Sequence, residues 1–341
     1  GVSILRPLKG VDINMEGALT SAMLQHYPRF EVLFSVASEK DPCVPLVQEI
    51  MSRYPEVDAR LIVGDVPVGV NPKVCNLIKS YREAKYDILW VLDSNVQVQP
   101  GCLARSVEAL QQPDVGLVHH LPIIENFTSM GAAVHAAFIN ATHAKMYTAI
   151  NWFGIASCIV GKSNLYRKSD VERVGGLAHY AQFLSEDNLL ATAIFKDLGK
   201  RHVMTYDLAR QQLGYMTPED DQFRRMRWIR IRKYTVVAAT LFEPFTESLF
   251  IGPLAGWAVF TLFGFPRWLF VVLHTLAWFC VDLRIASLLW PGTTRYTALF
   301  ALAWFQRESS AMLMWILAWL ADDVAWRGQR FRLKRDGTAE L

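Results

Sequence analysis

The run Ile88-Leu89-Trp90-Val91-Leu92 constrains this chain more than any other stretch. Five consecutive large apolar residues are too many for a strand with one wet face and too few for a helix. They predict a short strand buried on both faces, of the kind found at the centre of a parallel sheet. The run ends in Asp93-Ser94-Asn95. Open α/β sheets bind ligands beyond the carboxyl ends of their strands, where an acid can hold a hard cation that bridges two phosphates. A strand followed by an ordinary Asx turn has the same sequence, so the rest of the chain has to decide.

Upstream, strand and helix patterns alternate. Val2 to Pro7 predicts a first strand, Met15 to Gln25 a helix, Phe30 to Ala37 a second strand, and Val44 to Arg53 another helix. Pro42 stops regular pairing and leaves Asp41 on a loop at the carboxyl edge of the sheet. Ala59 to Val63 predicts a third strand, and Gly69-Val70-Asn71-Pro72-Lys73 leads into a periodic helix through Tyr81. Such alternation implies an α/β fold with a doubly wound, mainly parallel sheet and crossover helices.

The next segment is less regular. Val115 to His120 predicts a further buried strand, Met130 to Met146 is helical in pattern, and Gly154 to Arg167 carries Gly, a Lys and a run of small residues. Gly175-Gly176 marks a turn or helix stop. In Ser185-Glu186-Asp187, Ser185 predicts an N-cap that places both acids in the first turn of a helix. Dipole compensation alone accounts for acids there; a cleft at the sheet edge would give them chemistry.

Composition splits the chain. A hydrophobic share of 52% and eleven Trp are high for a wholly soluble protein of 341 residues. The excess lies beyond Leu249, in the blocks Leu249 to Phe265, Trp268 to Trp290 and Thr297 to Ala321. Pro253 interrupts the first, Asp282 and Arg284 the second, and Gln306-Arg307-Glu308 the third. Two basic stretches, Arg224 to Lys233 and Arg327 to Arg335, border the blocks and argue for membrane contact rather than for nucleic acid. Both prefer the cytosolic side, which predicts an even number of crossings: two spans with the remaining block interfacial or re-entrant, three spans being the alternative. Arg307 and Glu308 are expected to pair with each other or with partners inside the helix cluster. Five cysteines without a CxxC pair favour reduced thiols over a disulfide scaffold or a zinc site. The Asn-x-Ser/Thr matches at Asn126 and Asn140 read as chance. The expected division is a catalytic domain over residues 1–233, membrane or interfacial helices over 234–325, and a basic tail over 326–341.

In Arg224-Arg225-Met226-Arg227-Trp228, Arg224 and Arg227 share a helical face and can meet one anion while Trp228 packs alongside. A basic anchor for lipid headgroups is the competing reading, and it suits Arg230 to Lys233.

Asp41, then Asp93-Ser94-Asn95, then Glu186-Asp187, then Arg224-x-x-Arg227-Trp228 resembles the D, D, D, (Q/R)xxRW signature of inverting GT-A glycosyltransferases. More narrowly, Arg6 to Asp12, Asn71-Pro72-Lys73 with Asn76-Leu77, Val115 to His119, and the ending from Trp326 to Glu340 resemble the ceramide glucosyltransferase family along nearly the whole chain. The resemblance implies inverting transfer from UDP-glucose to the primary hydroxyl of ceramide at a lipid bilayer, giving a β-glucoside. It implies Asp187 as general base, Asp41 near uracil and ribose, and Asp93 as ligand of Mg2+ or Mn2+ on the diphosphate. Lys73, Arg224 and Arg227 would serve the nucleotide sugar; Trp228, His143 and Glu186 the acceptor side. Asn95 stands where related enzymes often have a second acid, which points to weak cation affinity. The resemblance further implies a catalytic domain facing the cytosol, on Golgi membrane in a eukaryote or inner membrane in a bacterium. Because Gly1 is not an initiator Met and relatives carry an N-terminal membrane helix, the sequence is expected to be a piece of a longer protein. Two other classes remain open: a transferase of the same fold acting on polyprenyl phosphate or polysaccharide, and a non-catalytic membrane scaffold.

Overall fold

The structure is a computed structural model that describes residues 1–326 and 328–341; Arg327, which opens the second basic stretch, lies outside the described residues. The chain forms two compact units, Gly1–Pro122 with Met146–Gln212, and Ile123–Lys145 with Leu213–Leu341.

The first unit carries an eight-stranded sheet built from β1 (Val2–Leu8), β2 (Phe30–Val36), β3 (Asp58–Val63), β4 (Ile88–Leu92), β5 (Val96–Gln97), β6 (Val115–Glu125, which ends in the second unit), β7 (Ser163–Arg167) and β8 (Arg201–Gln212). Their order is β3-β2-β1-β4-β7-β6-β8-β5. From β3 to β4 all pairings are parallel, whereas β7 runs antiparallel to both β4 and β6. The expected two-sided burial of β4 is observed. Trp90 and Leu92 pack with Ile4, Phe34 and Leu19 on one face, while Leu89 and Val91 pack with Leu5, Leu77 and Ile194 on the other.

The polar segment Ser163–Arg167, read as irregular, is a strand, because its partners β4 and β6 supply the apolar context that its own residues lack. Asn71 caps the helix Pro72–Glu83: its side chain accepts from the N–H groups of Lys73 and Val74, with Pro72 at the first helical position. Ser185 occupies the predicted N-cap of Glu186–Lys196, but its buried hydroxyl makes no capping bond.

The second unit is helical. The pattern from Met130 resolves into Met130–Ala137, a π-helical turn Phe138–His143, and Ala144–Phe153, which belongs to the first unit from Met146 on. The apolar blocks form helices Ser248–Phe263, Arg267–Leu289 and Thr297–Trp319. Among the described residues, Arg267–Leu289 is the one helix long and apolar enough to cross a membrane by itself; Val237–Thr246 and Ser248–Phe263 meet that test together across a 70° bend. Arg307 is fully buried, bonded to both oxygens of Glu247 at 3.1 and 2.7 Å and also to Glu308, which is the pairing expected of ionisable groups in such a cluster. A three-stranded antiparallel sheet of β9 (Asp323–Trp326), β10 (Gln329–Leu333) and β11 (Ala339–Glu340) closes the chain.

The cations between Arg230 and Lys233 work inside the protein rather than as a free lipid anchor. Lys233 Nζ donates to the carbonyls of Ala318 (3.3 Å), Trp319 (3.4 Å) and Ala321 (2.7 Å) at the end of Thr297–Trp319, and it pairs with Asp322. Arg232 bonds Glu243, and Arg230 donates to the carbonyl of Asp323.

Candidate active site

Three loops of the first unit converge on Asp93. Its carboxylate follows β4, the Asn71-capped helix brings Lys73, and the turn before β7 brings Lys162. Lys73 Nζ lies 3.0 Å from Asp93 Oδ1, and Lys162 Nζ lies 3.0 Å from Oδ2. Lys73 also reaches Glu186 Oε1 at 3.2 Å and the carbonyl of Gly161 at 3.2 Å. Glu186 accepts from the Asn71 side-chain amide at 2.7 Å. Beneath the turn, fully buried Arg6 donates to the carbonyls of Val96 and Ser94, clamping the backbone that carries Asp93.

These contacts set the protonation states. Burial works against the Asp93 charge, but Lys73 and Lys162 outweigh it and hold the carboxyl well below the usual range. Lys73 is likewise held charged: burial opposes it, and Asp93, Glu186 and Asp187 more than compensate. Asp187 behaves in the opposite way. Burial first and the Glu186 charge second push its carboxyl up to about 6, with Lys73 pulling back. Neighbouring carboxylates have thus been driven apart, one locked as an anion and one poised to exchange a proton near neutrality, which is the pattern of an acid–base site. Asp187 lies against Gly161, where a Cβ would stand 2.5 Å from Asp187 Oδ2; only glycine leaves the carboxylate its place.

Asp41, at the end of β2, accepts from the N–H of Gly10 at 2.9 Å and of Cys43 at 3.0 Å. Burial would raise its pKa, but these amide bonds and Lys9 bring it below the ordinary value. Gly10 belongs to the loop after β1, and Asp12 in the same loop accepts from Ser94 at 2.6 Å. Asp41 and Asp93 are therefore tied through one loop on the sheet's carboxyl edge.

In the second unit, Arg224 and Arg227 line one open recess with Tyr215, Asp220 and Phe223, as their spacing predicts. Trp228 packs against His135 (5.7 Å between centroids) and Phe138 (6.2 Å), and His135 is bonded to buried Asp221 at 2.7 Å. His143 ends the π-helical turn; burial, then Arg232 and His135, push its imidazole down to about 3, so it is neutral at physiological pH.

The description of glycosyl transferase family 21 matches residues 1–339. This chain belongs to that family. It is 35% identical to the ceramide glucosyltransferase of Komagataella phaffii, over all of this chain and 84% of that protein, and 29% identical to that of Candida albicans, over all of this chain and 88% of that protein. A mannosyltransferase from Pyrobaculum calidifontis, solved with GDP-Man and Mn2+, superposes with a TM-score of 0.55 at 17% identity, covering 94% of this chain and 86% of that one. That likeness bears on the fold, a GT-A sheet. The family 21 chain is accordingly a glycosyltransferase of the fold that its strand–helix alternation predicts.

The donor set around Asp93 in this family 21 protein does not suit a resident divalent ion. Hard cations take six or more oxygens; Mg2+ at a nucleotide site draws them from waters, phosphates and one or two carboxylates whose oxygens are free to turn to it. Here the motif offers one carboxylate, both of whose oxygens face ammonium groups, and the Asn95 amide oxygen faces Lys162 at 3.5 Å. Among the described residues, one other group has the spacing of a metal site: buried Cys102, His120 and Asp207. It is closed by its own bonds. His120 is bonded to Ser106 at 2.9 Å and Ser163 at 2.6 Å, and Asp207 takes both prongs of Arg105. Lys162 and Arg6 were missed as site residues because nothing in the spacing of the acidic motif points to them; only the pairing of β7 with β4 brings Lys162 to Asp93.

Proposed function

We propose that this chain transfers glucose from UDP-glucose to the primary hydroxyl of ceramide, with inversion, as a ceramide glucosyltransferase. The observation that carries the reading is Asp187, raised to about 6 beside a lysine-held Asp93 and Glu186. In a single displacement the ceramide oxygen bonds to the anomeric carbon and its proton passes to Asp187. The bond from that carbon to the β-phosphate oxygen breaks, and its electron pair leaves with UDP. Asp187, half-buried and raised to about 6, is mostly ionised at neutral pH, which suits a general base. Lys73 supplies fixed positive charge for the departing diphosphate. Asp41, with its pKa lowered and its position fixed by backbone amides, suits a hydrogen-bond acceptor for the nucleoside.

Arg224 and Arg227 are proposed to bind an anionic group from their own recess, and Trp228, His143 and Glu186 to belong to the acceptor side, His143 as a neutral hydrogen-bonding group. Glu186 is at present engaged by Asn71 and Lys73, so an acceptor contact would be a second role for it. Were Mg2+ or Mn2+ bound, Asp93 would be its protein ligand beside the diphosphate, and the ion would supply charge neutralisation of the leaving group in addition to that of Lys73 and Lys162. The acceptor in this reading is a bilayer lipid, and Arg267–Leu289 supports membrane attachment; catalysis on the cytosolic side, on the Golgi in a eukaryote or the inner membrane in a bacterium, is part of the proposal.

The test is transfer from radiolabelled UDP-glucose, with UDP-galactose in parallel, to a short-chain ceramide in detergent. Lipid-linked label from UDP-glucose that vanishes in Asp187→Asn supports the assignment. Label that persists in the variant removes Asp187 as the base, and label on polyprenyl phosphate but not on ceramide replaces the acceptor.

A further inference from the structure

Three cations crowd the Asp93 turn. Lys162 is placed by backbone: the Asp93 N–H donates to the Lys162 carbonyl at 3.0 Å, continuing the β4–β7 ladder past Leu92 and Ser163. Its Cα is thereby set beside Asp93, and its ammonium, on a side chain 25% exposed, reaches Asp93 Oδ2 from the open side. Lys73 grips the other oxygen. Arg6 lies behind; burial pushes it down to about 9, opposed by Asp93, so it too is charged at neutral pH. Opposite these stand Asp93, Glu186 and Asp187, the last with its pKa raised to about 6. A divalent cation entering this turn would have to break two ammonium–carboxylate contacts and meet three positive groups. A diphosphate meets two ammonium groups, the half-buried Lys162 and the more enclosed Lys73, each able to exchange a carboxylate oxygen for a phosphate oxygen.

We infer that Lys162, together with Lys73, binds the leaving diphosphate in the place a metal ion would take, so that nucleotide binding by this chain does not require a divalent cation. The inference rests on the nucleotide-sugar reading of this site. As the bond between the anomeric carbon and the β-phosphate oxygen breaks, the electron pair that stays on that oxygen is met by the two ammonium groups, while the acceptor proton goes to Asp187. Nothing else is consumed. The substitution Lys162→Gln removes only the charge, since the backbone bonds of Lys162 to Asp93 and Val160 do not involve its side chain.

The experiment is calorimetric titration of UDP into the full chain in detergent, once with EDTA and once with Mn2+, for the wild type, Lys162→Gln and Lys162→Arg. Direct Mn2+ binding to the nucleotide-free protein is followed by electron paramagnetic resonance. In the wild type, UDP is expected to bind in EDTA within about threefold of its affinity in Mn2+. Lys162→Gln weakens binding in EDTA by roughly ten- to a hundredfold, the scale of one charge-assisted hydrogen bond. It also makes binding depend on Mn2+ and increases Mn2+ uptake by the free protein, while Lys162→Arg keeps the wild-type pattern. Wild-type binding that collapses in EDTA, with Lys162→Gln indistinguishable from it, overturns the inference and leaves the nucleotide-sugar reading standing. A wild type that binds UDP under neither condition overturns both.

Discussion

At the scale of single residues, the chemistry of the first unit is a matter of which carboxyl keeps its proton. Asp187 accepts a proton only when ionised. Its value is raised to about 6, so turnover is full above that pH and falls about tenfold per unit below it. Lys73 is one of the groups holding the value down; Lys73→Gln is expected to move this acid limb to higher pH as well as lower the rate. A profile of kcat against pH for both proteins checks the direction, and an unmoved limb would disconnect Lys73 from Asp187. Gly161→Ala is predicted to cost on the order of a hundredfold in kcat, because a Cβ 2.5 Å from Asp187 Oδ2 forces the base to move by about an ångström, beyond what a positioned proton acceptor tolerates. Circular dichroism and thermal unfolding close to the wild type, alongside the lost rate, would separate this from misfolding. Asp41, Asp93 and Asp187 stand out in the sequence because acids after apolar runs have a recognisable place at a sheet edge. Lys162 does not, because its partner Asp93 is distant in sequence and is reached only through strand pairing.

At the scale of elements, legibility follows how much of a segment's stability lies in its own pattern. β1 to β4 and their crossover helices carry their burial in consecutive apolar residues and were readable without a structure. Ser163–Arg167 and Arg201–Gln212 are polar or mixed strands that exist because β4, β6 and β5 border them, and local pattern cannot show that. Lys233 makes the same point for helices. Composition places it in a basic patch facing lipid, whereas in the fold it caps the carbonyl end of Thr297–Trp319 with a side chain only 3% exposed. Replacing it by Met leaves Asp322 and those carbonyls without their cation, and about 1.5–3 kcal/mol of stability is expected to be lost. Thermal unfolding in detergent reads this, and an unchanged midpoint would return Lys233 to the lipid surface.

At the scale of the whole molecule, the expected boundary near residue 233 and the observed compact units follow different lines. Ile123–Lys145 belongs with Leu213–Leu341, so the second unit is assembled from two separate lengths of chain. Its apolar core draws Phe127, Ala133, Ala137 and Phe138 from the first length, and Met216, Phe300, Ala303 and Trp304 from the second. A protein engineer looking for a soluble catalytic fragment would naturally stop before the membrane helices. Residues 1–212 expressed alone are predicted to aggregate on size exclusion, since that cut strips the cover from the inserted helix at Met130–Ala137 and its π-helical turn; a monodisperse fragment would contradict this. The same topology has a consequence during synthesis. Residues 123–145 leave the ribosome before Phe300 and Trp304 exist to cover them, so the nascent chain carries this apolar helix without its core partners through nearly half of its translation.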